Sequence, residues 1–184
     1  MIVMSAGAAF AAGPELNSFG AADVANAMEK GSIAMPDAPS KVSAKFKIIT
    51  AVPGQSVTVS LSENLMWVTD PAAAGMGEAM SWSAADSACR NLSFGGYSDW
   101  ELPSDQELLG LTDGHFKYPS IDQEFFKNTQ LGYYWTATDY PGNSFLRRVW
   151  TVSFKGGGLY YATVMANRYY ARCVRRGATY YQAN

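Results

Sequence analysis

The sequence predicts one mixed helix-and-strand domain over residues 45–184, preceded by an extension over residues 1–44. Three observations predict it. A length of 184 residues fits a single domain plus an extension and is enough to bury a good core. Aromatic residues make up 14% and charged residues only 16%, which suits a compact, loop-rich domain and argues against disorder. Strand-like alternation at both ends of residues 45–184 brackets helix-like periodicity in the middle.

The extension is rich in Ala, Ser and Pro. Ala21 to Lys30 is expected as a short helix stopped by Gly31, and Met35-Pro-Asp-Ala-Pro39 reads as a linker. Met1 to Ala12 is apolar and small, and Ala-Phe-Ala-Ala at 9–12 resembles a processing site, but a basic n-region is missing. A truncated signal, a misassigned start and an Ala-rich structural segment all fit.

Lys45 to Ala51 is expected as a strand, followed by a Pro53-Gly54 turn. Val57 to Leu61 alternates with period two, giving one apolar and one hydroxylated face, and Leu65 to Val68 makes a third strand. Residues 70–79 read as a surface loop. Ser81 to Leu92 is the clearest helix, because Trp82, Ala85, Cys89 and Leu92 fall on one face. Leu92 to Ser104 is a glycine- and aromatic-rich loop that plugs between elements, with Tyr97 and Trp100 as its large rings. Ser104 and Glu107 form a capping box, so Asp105 and Glu107 are explained by the helix dipole without a catalytic role. A third helical piece is expected at Ser120 to Phe126.

After Asn128, strands are expected at Tyr133–Thr138, Arg147–Phe154, Gly158–Val164 and Tyr169–Val174. Trp150, Val152 and Phe154 form the expected core face of the second, with Val149, Thr151 and Ser153 opposite.

Charge is unevenly distributed. Residues 1–130 hold 7 Lys/Arg against 15 Asp/Glu, while residues 131–184 hold 7 against a single acid, Asp139. A segment of net charge +6 either meets an acidic ligand or faces the acidic remainder of its own domain. Cys89 and Cys173 are too far apart in sequence for a metal knuckle or a redox pair. Should they join, the closed loop is worth roughly 3–5 kcal/mol and implies an oxidising compartment.

Catalytic chemistry finds no nominee. His115 is the single histidine, and no Ser/His/Asp or Cys/His set stands out. Gly156-Gly157-Gly158 lies between strands and not before a helix, so it is no phosphate loop. No cofactor, metal or nucleic-acid partner is expected, and no run is long enough to span a membrane.

Six stretches occur in a telling order: Asn64–Trp67, Trp82–Cys89, Leu92–Pro103, Tyr133–Thr138, Trp150–Phe154 and Tyr170–Arg175. Together they resemble the Lcl C-terminal domain family, a bacterial and phage domain, over about residues 45–177. The resemblance implies an α+β domain with a C-type-lectin-like fold, a twisted antiparallel sheet and two main helices. It also implies a Cys89–Cys173 bridge and an extracellular, cell-surface or virion-surface location. Similar domains end collagen-like adhesins that bind sulfated glycosaminoglycans, and others serve as variable proteins of diversity-generating retroelements. The formylglycine-generating enzymes share the fold class, but their catalytic thiols have no counterpart here. The calcium and sugar loop of true C-type lectins has none either.

Between Phe154 and Arg172 family members often carry small polar residues and a lysine. This chain instead has Gly-Leu-Tyr-Tyr-Ala-Thr-Val-Met-Ala-Asn-Arg-Tyr at 158–169, a mixture resembling a paratope. The expected function is therefore non-enzymatic binding of a protein or cell-surface ligand. The expected surface is Tyr140, Asn143, Phe145, Arg147, Arg148, Tyr160, Tyr161, Thr163, Met165, Asn167, Arg168 and Tyr169, with Tyr170 in the scaffold. The alternative is a fixed adhesin gripping an acidic polysaccharide through Arg147, Arg148, Lys155 and Arg168. A formylglycine-generator-like enzyme and a purely structural virion or envelope subunit are the remaining readings.

Overall fold

The computed structural model describes residues 45–141, 147–163 and 167–177, with the backbone alone at 161–163. The expectations for residues 1–44 and for Asn143, Phe145 and Met165 fall outside the described residues. What is described is α+β, with two antiparallel sheets in place of the single expected one. The first sheet takes β1 (Phe46–Val52), β2 (Gln55–Ser60), β3 (Leu65–Val68) and β7 (Val174–Arg176) in that order. The second takes β4 (Tyr133–Asp139), β5 (Arg148–Ser153) and β6 (Leu159–Thr163). Two helices lie between them in the chain, α1 (Trp82–Arg90) and α2 (Asp105–Leu109).

The helices form where the caps dictate. The Ser81 hydroxyl accepts the Ala84 N–H at the start of α1, whose Ala85 and Cys89 are buried. In α2 the capping box is complete, with Ser104 Oγ accepting Glu107 N–H and Glu107 Oε2 accepting Ser104 N–H. Ser120 to Phe126 is not helical. Phe125 and Phe126 both donate to Asp122 O, a turn too short to propagate.

Packing buries both faces of two strands. In β2 the hydroxyl face is buried as well, because the first sheet is covered on both sides. Val57 and Val59 join a cluster with Met66, Val68, Cys89, Trp100 and Trp135, while Leu65 and Trp67 join Phe126, Tyr134 and Val152. Thr58 tolerates burial because its hydroxyl donates to Phe125 O at 2.6 Å and meets Thr69 Oγ1 at 2.9 Å. In β5, Val149 and Thr151 are fully buried, so the face opposite Val152 and Phe154 also packs, and Trp150 is the half-buried member. Nor is the 70–79 loop wholly on the surface, since Met76 is buried against Cys173.

The aromatic loop behaves as a plug. Phe94 and Tyr97 bridge each other, and buried Trp100 donates its indole N–H to both of their carbonyls. Gly95 has φ +64°, and a Cβ there would stand 2.6 Å from Val57 Cγ1, so glycine is required twice over.

The C-terminal segment departs most from expectation. Tyr169 and Tyr170 make single bridges to Met80 and Tyr134, and regular pairing resumes only at β7, which joins β3 of the first sheet. The ladder is interrupted because Arg172 turns wholly inward. Its guanidinium donates to Val68 O, Thr69 O, Lys127 O and Thr129 Oγ1. Burial pushes its pKa from 12.5 down to about 10, so the charge persists at neutral pH. Next to it, Cys173 bonds Cys89 across 84 residues with a Cα–Cα distance of 5.5 Å. A loop of that length is worth roughly 4–5 kcal/mol in the chain-entropy model.

Much of the basic segment faces the chain's own acids. Arg175 pairs with Asp99 and stacks on Tyr97, while Arg176 grips Glu107 with two nitrogens and reaches Glu101. Burial alone would raise the Glu107 carboxyl. The Arg176 fork and the Ser104 N–H outweigh burial and lower it. A depressed carboxyl contributes stability that is full above its unfolded value, about pH 4.3, and is lost as pH falls through the folded one. Glu107→Gln is expected to flatten stability against pH in that acid window, by less than about 1 kcal/mol after screening at this exposed pair. Urea unfolding between about pH 2.5 and 6 checks it; an unchanged slope contradicts the assignment.

Candidate functional site

The second sheet builds an aromatic face from its register. Tyr133 and Trp135 lie two apart on β4 and so share a side. Thr151 on β5 is opposite Trp135, and Tyr160 on β6 is opposite Thr151. Trp135 is wholly buried and donates its indole N–H to Met80 O at 2.8 Å. Tyr169 crosses above, its ring 4.7 Å from Trp135 and 5.0 Å from Tyr133. Tyr133 meets Tyr160 edge to face at 5.2 Å. Tyr133 and Tyr160 remain 37% and 48% exposed, so the cluster is rooted in the core and open to solvent.

Polar groups frame the rings. Asn167 Nδ2 donates to the Tyr169 hydroxyl at 3.1 Å, and Arg168 Nη2 donates to Ala79 O at 3.1 Å. Burial first, then the neighbouring Tyr133, pushes the Tyr169 phenol up, which keeps it neutral at pH 7. Tyr140 and Arg147 make two separate aromatic contacts. The Tyr140 ring lies 4.9 Å from Trp150, and Arg147 sits 4.1 Å above Trp82 while pairing with Asp139 at 2.8 Å. The Trp82 indole donates to Thr136 O, tying Trp82 to β4.

The structure thus brings together Tyr160, Asn167 and Tyr169, with Arg168 beside them in the chain. Tyr140 packs on Trp150, and Arg147 on Trp82. Arg148 is half-buried and pairs in register with Thr163, and Tyr161 pairs with Trp150. Lys155 is exposed in the β5–β6 turn. Tyr170 packs on Tyr134 in the scaffold. Sequence reasoning passed over Tyr133, Trp82 and Trp150 as contacts of the surface residues. Period two from buried Trp135 was the available signal for Tyr133, because it places a strand-end tyrosine on the same side.

A disulfide-closed α+β domain with an aromatic cluster anchored in its core is the class this geometry defines. The chain belongs to the Lcl C-terminal domain family, whose model matches residues 56–175. That span runs from β2 through β7 and contains the disulfide and every ring of the cluster. No curated protein matches the chain in sequence. Among the described residues no helix is long and apolar enough to cross a membrane, and no three His, Cys, Asp or Glu side chains group to hold a metal.

Tyr160→Ala is expected to change stability by no more than about 1 kcal/mol, since half of the ring is already in solvent. Trp135→Ala is expected to cost about 3–5 kcal/mol. Denaturant unfolding of both variants checks the contrast. Equal losses would place Tyr160 in the core and remove it from the surface.

Proposed function

We propose that this domain is a non-enzymatic binding module of receptor or adhesin type, built on a C-type-lectin-like scaffold. The Tyr133–Tyr160–Tyr169 cluster carries the reading. Tyrosine supplies large contact area at low entropic cost, and Asn167 and Arg168 add adaptable and charged hydrogen bonding. Membership of the Lcl C-terminal domain family supports a surface or adhesin-like role. The Cys89–Cys173 bridge supports an extracellular, cell-surface or virion-surface location. The ligand is a protein or another cell-surface molecule.

The proposal extends to diversification of this surface by a retroelement. Its support is physical. Tyr160 and Arg168 are exposed, while Arg172, Cys173 and Trp135 hold the fold from inside. Exposed positions accept change at little cost in stability. The acidic-polysaccharide alternative has weaker support, because Arg147 is already held by Asp139 and Trp82.

Screening the domain against arrayed cell-surface ectodomains and glycans tests the proposal. A captured protein ligand is expected to lose at least about tenfold in affinity with Tyr160→Ala, while the domain stays folded. Its binding is expected to vary little between 0.1 and 0.5 M salt. Binding that ignores Tyr160→Ala and collapses in salt would instead establish the polysaccharide reading, since exposed charges are screened within about 10 Å at 0.1 M.

A further inference from the structure

Four strands end the two sheets, and three of them are guarded against pairing with another chain. On β1, Lys47 sits within the strand and the register breaks between Ile49 and Val52. On β7, Arg175 and Arg176 supply charge, and Glu101 bridges Val174. On β4 the register shifts between Trp135 and Asp139, and Tyr170 bridges Tyr134. The fourth, β6, carries none of these devices. It reads Leu-Tyr-Tyr-Ala-Thr, without charge or proline, and it pairs with β5 at five successive positions without a break.

The ladder sets which main-chain groups of β6 face outward. The Ser153 N–H donates to Gly158 O, which fixes Thr151–Tyr160 and Val149–Ala162 as the hydrogen-bonded pairs further along. The N–H and C=O of Leu159, Tyr161 and Thr163 therefore point away from β5, and among the described residues no main-chain group pairs with them. Main-chain donors and acceptors recurring at every second residue match the spacing of another extended strand. Tyr160, on the same strand, is 48% exposed, so the edge is open to solvent. An uncharged strand also sets no like charges opposite one another when it meets its own copy.

We propose that β6 is the seam of a symmetric dimer, pairing antiparallel with β6 of a second copy of this chain. Centring the pair on Tyr161 sets Tyr161 opposite its own counterpart and Leu159 opposite Thr163 of the second copy. All three outward residues then exchange both of their hydrogen bonds. Such a seam is isologous and closes at two copies. Its two-fold axis stands normal to the sheet, so the two three-stranded sheets become one and Tyr160 of each copy lies on the same side. A five-residue seam is short, so the dimer is weak and reversible. The inference rests on main-chain pairing and is independent of what the tyrosine cluster binds.

Sedimentation equilibrium of the full chain from about 10 µM to 1 mM, a range suited to a small interface, tests the proposal. A monomer–dimer equilibrium is expected. Tyr161→Lys alone and Tyr161→Glu alone are each expected to weaken dimerisation about tenfold or more, because like charges then face each other across the axis. An equimolar mixture of the two variants is expected to restore the dimer, a result that damage to the fold cannot give. If either variant loses its near-ultraviolet dichroism, Thr163→Pro replaces the pair. It removes an outward N–H that β5 does not use, and the same loss of about tenfold or more is expected. A monomer throughout the range, growth beyond the dimer, a dimer that the substitutions leave unchanged, or no restoration on mixing folded variants overturns the proposal.

Discussion

Arg172 carries a full charge into an interior that gives it only carbonyls and one hydroxyl. Removing such a group leaves its acceptors buried and unpaired, a loss of several kcal/mol. Its partners lie in two stretches far apart in sequence, the end of β3 and residues 127–129. The guanidinium therefore gathers these two stretches at one point. Cys173 fixes a third, α1, through Cys89. The neighbours continue the pattern, because Tyr170 bridges β4 and Val174 pairs with both Glu101 and β3. Eight residues, Tyr169 to Arg176, thus hold two sheets and a helix in one arrangement.

This segment also sets the aromatic cluster. Tyr169 is its first residue, and its backbone exchanges hydrogen bonds with Met80, whose carbonyl also receives the Trp135 indole N–H. The ring above the second sheet is positioned by the chain that locks the interior. Tyr133 and Tyr160 then rest against a fixed support and point into solvent. Rigid support beneath exposed rings lowers the ordering cost of binding. The load falls on Trp135, Arg172 and the disulfide, and the outer tyrosines are left to contact a ligand.

Local signals were legible in the sequence and long-range ones less so. The capping box at Ser104, the face of α1 and the strand at Leu65 to Val68 follow from spacing and side-chain chemistry within a few residues. The hydroxyl face of β2 did not, because its burial is decided by Phe125, some 67 residues away. The strand expected at Tyr169 to Val174 failed for a related reason. Nothing local reveals that an arginine will turn inward, and an arginine among others on a basic segment reads as surface. The same segment's charge allowed two readings, and only the fork of Arg176 on Glu107 and the Arg175–Asp99 pair show how much of it is internal. In the candidate site, Tyr160, Asn167 and Tyr169 were legible from composition. Tyr133 required the strand register that places it beside Trp135.

Native-state hydrogen exchange tests the central role of the Tyr169–Arg176 segment most directly. The amides of Tyr169, Tyr170 and Val174 donate to Met80, Tyr133 and Glu101, and those of Val68 and Trp135 donate back to Cys173 and Tyr170. All five are expected to exchange with one opening free energy, equal to that of global unfolding and to that of the β2 amides. Exchange of Tyr169, Tyr170 and Val174 through a cheaper local opening, with β2 still protected, would show that the sheets stand without this segment and would contradict the account.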